Sequence, residues 1–88
     1  NQLEKHNMKK YYFYLARCVD KTIYAGYTTD LKNREYKHNA GQGAKYTKTR
    51  RPVKIIYSES FKTKIRAMQR EAEVKTWPKI KKENLIKN

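Results

Sequence analysis

Residues 11–18, Tyr-Tyr-Phe-Tyr-Leu-Ala-Arg-Cys, and residues 22–27, Thr-Ile-Tyr-Ala-Gly-Tyr, are two strand-like runs that stand almost back to back. Aromatic and β-branched side chains suit a pleated surface, and Asp20-Lys21 between the runs is turn chemistry. Together they predict an antiparallel hairpin. Alternation puts Tyr12, Tyr14 and Ala16 on one face of the first strand and Phe13, Leu15 and Arg17 on the other. On the second strand Thr22, Tyr24 and Gly26 share a face, so Tyr24 can approach Tyr14 across the pair.

After the hairpin the chain reads as helix, strand, helix, helix. Thr28-Thr29-Asp30 offers N-caps for a helix starting near Leu31, and Gly41 is a natural stop for it. Residues 41–52 read as a loop rich in lysine and arginine. Val53–Tyr57 is a short third strand. Thr63 caps a helix running to about Trp77, where Pro78 ends it, and Lys79–Ile86 is a short final helix. The expected architecture is α+β: a small three-stranded sheet, antiparallel or mixed, with flanking helices in the order β-β-α-β-α-α. Residues 11–88 form one domain, as 88 residues allow. Residues 1–10 are expected to be a disordered or upstream-derived extension, with Met8 a candidate native start.

Charge narrows the function. Lys and Arg number 22 against 8 Asp and Glu, a net charge of +14, which draws polyanions. Nucleic acid is the expected partner. No apolar run approaches the ~20 residues that span a bilayer, no strongly amphipathic basic helix offers a membrane anchor, and residues 1–10 lack the apolar centre of a signal peptide. A single cysteine, Cys18, fits a reducing compartment and a packing role. The expected location is the cytoplasm. One Cys and two His make no ordinary four-ligand zinc site without carboxylates. Gly41-Gln42-Gly43 lacks the strand-to-helix setting of a phosphate loop.

Two helices carry polar residues in unusual places. In the first, Leu31, Arg34 and His38 share a face, which points either to solvent or to a polar site. Taken by itself the pattern favours solvent, since charged side chains are mostly exposed. In the second, Ile65, Met68 and Ala72 form a stripe that Ala67 and Val74 widen, and Glu71 falls within this arc. Glu73, among Arg66, Gln69 and Arg70, reads as a surface acid. A carboxylate on an apolar arc needs a cation or a metal; the plainer alternative is a surface pair with Lys75.

These residues together resemble the GIY-YIG endonuclease superfamily. Tyr12-Phe13-Tyr14 stands for the first motif, keeping its last tyrosine and lacking its glycine, and Tyr24-Ala25-Gly26 stands for the second. Arg34 and His38 occupy the arginine and histidine positions, and Glu71 lies on the helix that carries the metal-binding glutamate. The likeness covers about residues 11–86. It is closest in kind to small stand-alone bacterial members, which share Gly43-Ala44-Lys45-Tyr46-Thr47 and Arg51-Pro52-Val53.

The resemblance implies a metal-dependent endonuclease acting on nucleic acid, DNA favoured over RNA, with no small-molecule cofactor. It implies Glu71 as the sole protein carboxylate on one Mg²⁺ or Mn²⁺, Arg34 on the phosphate, and Tyr14 or Tyr24 as proton acceptor. His38 would relay that proton or orient a tyrosine. Gly26 would let the backbone pass close to substrate, and Asn84, otherwise a surface residue, would assist. Lys45, Tyr46, Lys48, Arg50, Arg51 and Lys54 are the expected nucleic-acid track. Tyr46 would stack on a base or serve as a core or edge tyrosine. The competing readings are a binding module of the same fold with little or no catalysis, and a protein whose charge merely binds ribosomes. Oligomeric state and substrate structure stay open.

Overall fold

The computed structural model describes residues 9–88. The expected N-terminal extension, with His6 and Met8, lies outside these residues apart from Lys9 and Lys10. The hairpin forms as expected. Strand β1 (Tyr11–Arg17) pairs antiparallel with β2 (Ile23–Thr28), placing Tyr14 opposite Gly26 and Ala16 opposite Tyr24. Helix α1 (Leu31–Asn39) follows, its first turn capped by Asp30, whose carboxylate accepts from the Asn33 N–H at 3.0 Å. Gly41, at φ 79°, takes the left-handed turn that ends it.

The stretch expected to be loop contains one helical turn, α2 (Lys45–Lys48). A turn this short leaves no periodicity in the sequence. Strand β3 (Lys54–Phe61) runs beyond the expected end at Tyr57. Ser58-Glu59-Ser60 has poor strand propensity, but it pairs with the N-terminal half of β1. The Glu59 carboxylate takes hydrogen bonds from Arg70 at 2.9 and 3.1 Å and from the Tyr57 hydroxyl. Tertiary partners thus override local preference. The sheet order is β2-β1-β3, antiparallel throughout.

Central β1 is buried on both faces. On one side Phe13, Leu15, Ile23, Ala25 and Val74 pack together. Helices α3 (Lys64–Lys75) and α4 (Lys79–Lys87) cover this side through Val74, Trp77, Leu85 and Ile86. Burial of Phe13 and Leu15, both without exposed surface, contributes roughly 1.5–3 kcal/mol each. On the other side Tyr14, Ala16, Cys18 and Val53 pack with Tyr24, Leu31 and Ile55, and α1 lies over them. A two-pronged ion pair from Arg17 to Glu83, at 2.7 and 2.8 Å, ties α4 to β1.

Helix α3 turns a different face inward from the one expected. Ala67 and Val74 are buried and Arg70 and Glu71 half-buried, whereas Ile65 is 67% and Met68 41% exposed. Small Ala67 lets the helix sit close to the sheet. Arg70 lays its guanidinium by the Phe13 and Trp77 rings while pairing with Glu59. Those interactions need Arg70 on the inner side, and they outweigh the apolar area of Ile65 and Met68. Glu71 consequently sits at the margin of the buried face.

Candidate active site

Arg34 and His38 of α1 and Glu71 of α3 reach the site for reasons visible in the packing. The face of α1 that carries Arg34 and His38 points to the sheet and not to solvent, which corrects the reading of that helix pattern taken by itself. His38 has no exposed surface. Leu31, at the start of the same face, anchors α1 against Tyr14 and Ala16, so Arg34 and His38 must follow it inward.

A polar cleft of about 260 Å³ is lined by Tyr14, Tyr24, Gly26, Tyr27, Arg34 and Glu71. Tyr14, Tyr24 and Gly26 belong to the α1 side of the sheet, and Tyr27 and Glu71 to the α3 side. The cleft opens at the β2 edge, where the two sides meet. Tyr14 forms its floor, with the Tyr24 ring 6.3 Å away. Tyr24 is half-buried and Tyr14 fully buried. The other cavities along the surface are larger, but none of them gathers this set of groups.

Behind the cleft runs a chain of hydrogen bonds. Arg34 Nε donates to the Tyr14 oxygen at 3.3 Å. Tyr14 Oη and His38 Nε2 are 2.7 Å apart. His38 Nδ1 and Thr47 Oγ1 are 2.8 Å apart, and Thr47 Oγ1 donates to the Ala44 carbonyl at 2.9 Å. Burial pushes the Tyr14 phenol up to about 12, although Arg34 pulls it down. Tyr24 is also raised, again chiefly by burial. Burial and then the Arg34 charge lower His38 to about 4. Both phenols are therefore neutral at pH 7, and so is the imidazole.

Gly26 lines the cleft and lies against Tyr14. A Cβ there would stand 2.6 Å from the Tyr14 oxygen and 2.7 Å from Cζ. The missing side chain makes room for the Tyr14 ring against the backbone. Asn84 is exposed on α4 and does not line the cleft.

The basic segment divides into two kinds of residue. Lys45, Lys48 and Lys54 are exposed. Arg50 pairs with Asp20, donates to the Tyr46 carbonyl and lies 3.9 Å from the centre of the Tyr46 ring. Arg51 donates to the carbonyls of Lys48 and Asn39. The two arginines fasten the segment to the domain. Tyr46 stacks on Tyr24, ring centres 6.0 Å apart and planes 24° from parallel, and stays 39% exposed. Sequence reasoning named Gly43 and Thr47 only within a shared stretch and gave them no role, though both press on His38, and it passed over Tyr27, which lines the cleft. Nothing in their spacing from His38 or from Glu71 announces that contact.

Glu71 is the cleft's one carboxylate, and no ion pair joins it to Lys75 among the described residues. Those residues also contain no group of three His, Cys, Asp or Glu side chains able to hold a metal. A single carboxylate facing an open polar space does not fit a closed four-ligand centre. It fits a hard ion such as Mg²⁺, which keeps water and takes one protein carboxylate plus substrate phosphate.

The profile of the family described as the GIY-YIG catalytic domain matches residues 10–84. The chain belongs to the GIY-YIG family. A UPF0213 protein of Bacillus pumilus is 52% identical over 84 residues, 96% of this chain and 83% of that protein. Another, from Staphylococcus saprophyticus, is 52% identical over 79 residues, 90% of this chain and 96% of that protein. Two solution structures share the GIY-YIG fold of this chain. One is a UPF0213 protein from Bacillus halodurans, with TM-score 0.57 and 42% identity over 89% of this chain and 83% of that one. The other is an E. faecalis protein, with TM-score 0.61 and 43% identity over 90% of this chain and 84% of that one. GIY-YIG membership suggests a nuclease family.

Proposed function

We propose that this protein is a metal-dependent endonuclease that hydrolyses phosphodiester bonds in nucleic acid, DNA favoured over RNA. The observation that carries the reading is the meeting of Tyr14, Tyr24, Arg34 and Glu71 in one polar cleft of a strongly basic chain. A fold alone does not specify chemistry; this donor set is what supports the reading. A mere binding module has no need of a carboxylate in the groove where phosphate must lie, since it repels the anion unless a cation bridges them.

Glu71 would hold one Mg²⁺ or Mn²⁺. When bound, such an ion stabilises charge on the phosphate and on the leaving oxygen. Arg34 turns its guanidinium to the phosphate, for which its fork geometry is suited. Its 3.3 Å bond to Tyr14 is at the long end for N–H···O, so that turn frees the phenolic oxygen. The attacking water then gives its proton to Tyr14 as Tyr14 passes its own to His38 Nε2. The water oxygen bonds to phosphorus as the phosphorus–oxygen bond to the leaving group breaks; that oxygen takes a proton from solvent, and His38 later returns one.

This relay avoids a free tyrosinate, which a phenol near 12 resists. It ends on His38, whose basicity, lowered by burial and then by Arg34, rises in part once phosphate offsets the Arg34 charge. Tyr24, nearer the mouth, orients water or phosphate. Lys45 and Lys48, with Lys54 beyond them, attract the strand. The test is cleavage of labelled DNA and RNA probes with and without Mg²⁺. Metal-dependent cleavage lost in Arg34→Ala supports the reading. Salt-dependent binding with no cleavage under any divalent ion sinks it in favour of the binding module.

A further inference from the structure

His38 holds its place between two oxygens, and the direction of each bond is fixed by the donors available. The Thr47 hydroxyl has one proton, and it goes to the Ala44 carbonyl, which can only accept. Toward His38, then, Thr47 can only accept, so the imidazole carries its proton on Nδ1. Nε2 is left bare, facing the Tyr14 hydroxyl at 2.7 Å. The Arg34 Nε–H, which can only donate, completes the chain on the Tyr14 oxygen. Every proton from Arg34 to Ala44 is used once. A Cβ at Gly43 would overlap His38 Nδ1, so the chain bends close around this ring. Thr47 itself has no exposed surface.

We propose that Thr47 is a positioning residue that fixes the Nδ1–H tautomer of His38 and so presents a bare Nε2 to Tyr14. Neutral imidazole in water prefers its proton on Nε2. Without an acceptor at Nδ1 that form takes over and points a proton at Tyr14, whose own hydroxyl then has no acceptor. The relay stops although both side chains remain. The segment Gly43-Ala44-Lys45-Tyr46-Thr47 is thereby a clamp on the two aromatic groups of the site. Thr47 and Gly43 hold His38, and Tyr46 holds Tyr24. The tautomer stands on geometry alone; its effect on rate rests on the nuclease reading.

The experiment is nitrogen–proton correlation spectroscopy of the histidine rings in ¹⁵N-labelled protein at pH 7, with His38 assigned by His38→Gln. Wild type and Thr47→Ser should show His38 protonated on Nδ1, and Thr47→Val should show it on Nε2. A labelled DNA oligonucleotide with Mg²⁺ serves as the cleavage probe. Thr47→Val should lose about 10- to 100-fold in kcat, the scale known for hydrogen bonds that orient an imidazole, with little change in KM, and Thr47→Ser should recover most of it. Wild-type His38 protonated on Nε2 overturns the proposal, as does Thr47→Val that keeps the proton on Nδ1. If Thr47→Val does not fold, the wild-type tautomer decides. Absence of cleavage by wild type counts against the nuclease reading and leaves the tautomer result to stand or fall by itself.

Discussion

Tyr14 and His38, 24 positions apart in the chain, share a buried 2.7 Å hydrogen bond between the phenol oxygen and Nε2 of the imidazole. The bond joins the central strand to α1. It also makes Tyr14 the one cleft phenol with an imidazole nitrogen in hydrogen-bond reach among the described residues.

That asymmetry separates the two tyrosines. Tyr14→Phe keeps the ring and deletes the relay, so cleavage should fall by about 10²–10⁴-fold, the range for general acid–base groups, while binding of a DNA duplex stays within about threefold. Tyr24→Phe should cost less. Single-turnover rates and fluorescence anisotropy read the two effects apart. A larger loss at Tyr24 would reassign the proton acceptor.

His38 also predicts how stability responds to acid. In the folded chain burial and Arg34 bring it to about 4, against an ordinary value near 6.5. Between those values the unfolded chain binds a proton that the folded chain refuses. The contribution of His38 is then fully present above pH 6.5 and is lost as pH falls toward 4. The difference in melting temperature between wild type and His38→Gln should shrink from pH 7 to pH 4.5. A difference that does not change with pH contradicts the assignment.

Gly26→Ala should act on Tyr14. Its Cβ would sit 2.6 Å from the phenolic oxygen, and relieving the overlap moves backbone or ring, at about 1–3 kcal/mol. Urea melts should show that loss, with cleavage falling as Tyr14 leaves His38. Wild-type stability in this variant would mean the ring has slack that the structure does not show.

Within the basic segment, lysines and arginines should behave differently. Lys45→Ala with Lys48→Ala removes two exposed charges. It should lower the slope of log affinity against log salt by about 1.8 on duplex DNA, at about 0.9 per phosphate, without changing the melting temperature. Arg50→Ala breaks contacts to Asp20 and Tyr46, so it should lower the melting temperature as well. Equal effects in both assays would erase the distinction.

Local signals were enough for much of this fold. The hairpin, the Asp30 and Thr63 caps, the Gly41 stop and the approach of Tyr24 to Tyr14 all come from alternation, turn chemistry and helix ends. The features that escaped depend on distant partners. Residues 58–61 are strand because Arg70 and Tyr57 hold Glu59 there. The inner face of α3 is set by Arg70 and by the smallness of Ala67, against the larger apolar area of Ile65 and Met68. The α1 face, ambiguous as a pattern, is settled by Leu31 docking on the sheet. Thr47 was silent because one turn of helix has no period and a buried threonine has no signature.

Glu71 decides between catalysis and binding. The most direct measurement is Mg²⁺-dependent cleavage of a labelled DNA probe by wild type and by Glu71→Gln, with circular dichroism on both. Glu71→Gln should bind the probe in the absence of metal at least as well as wild type, keep its fold, and show no metal-dependent cleavage. Cleavage that survives in a folded Glu71→Gln protein would contradict the account.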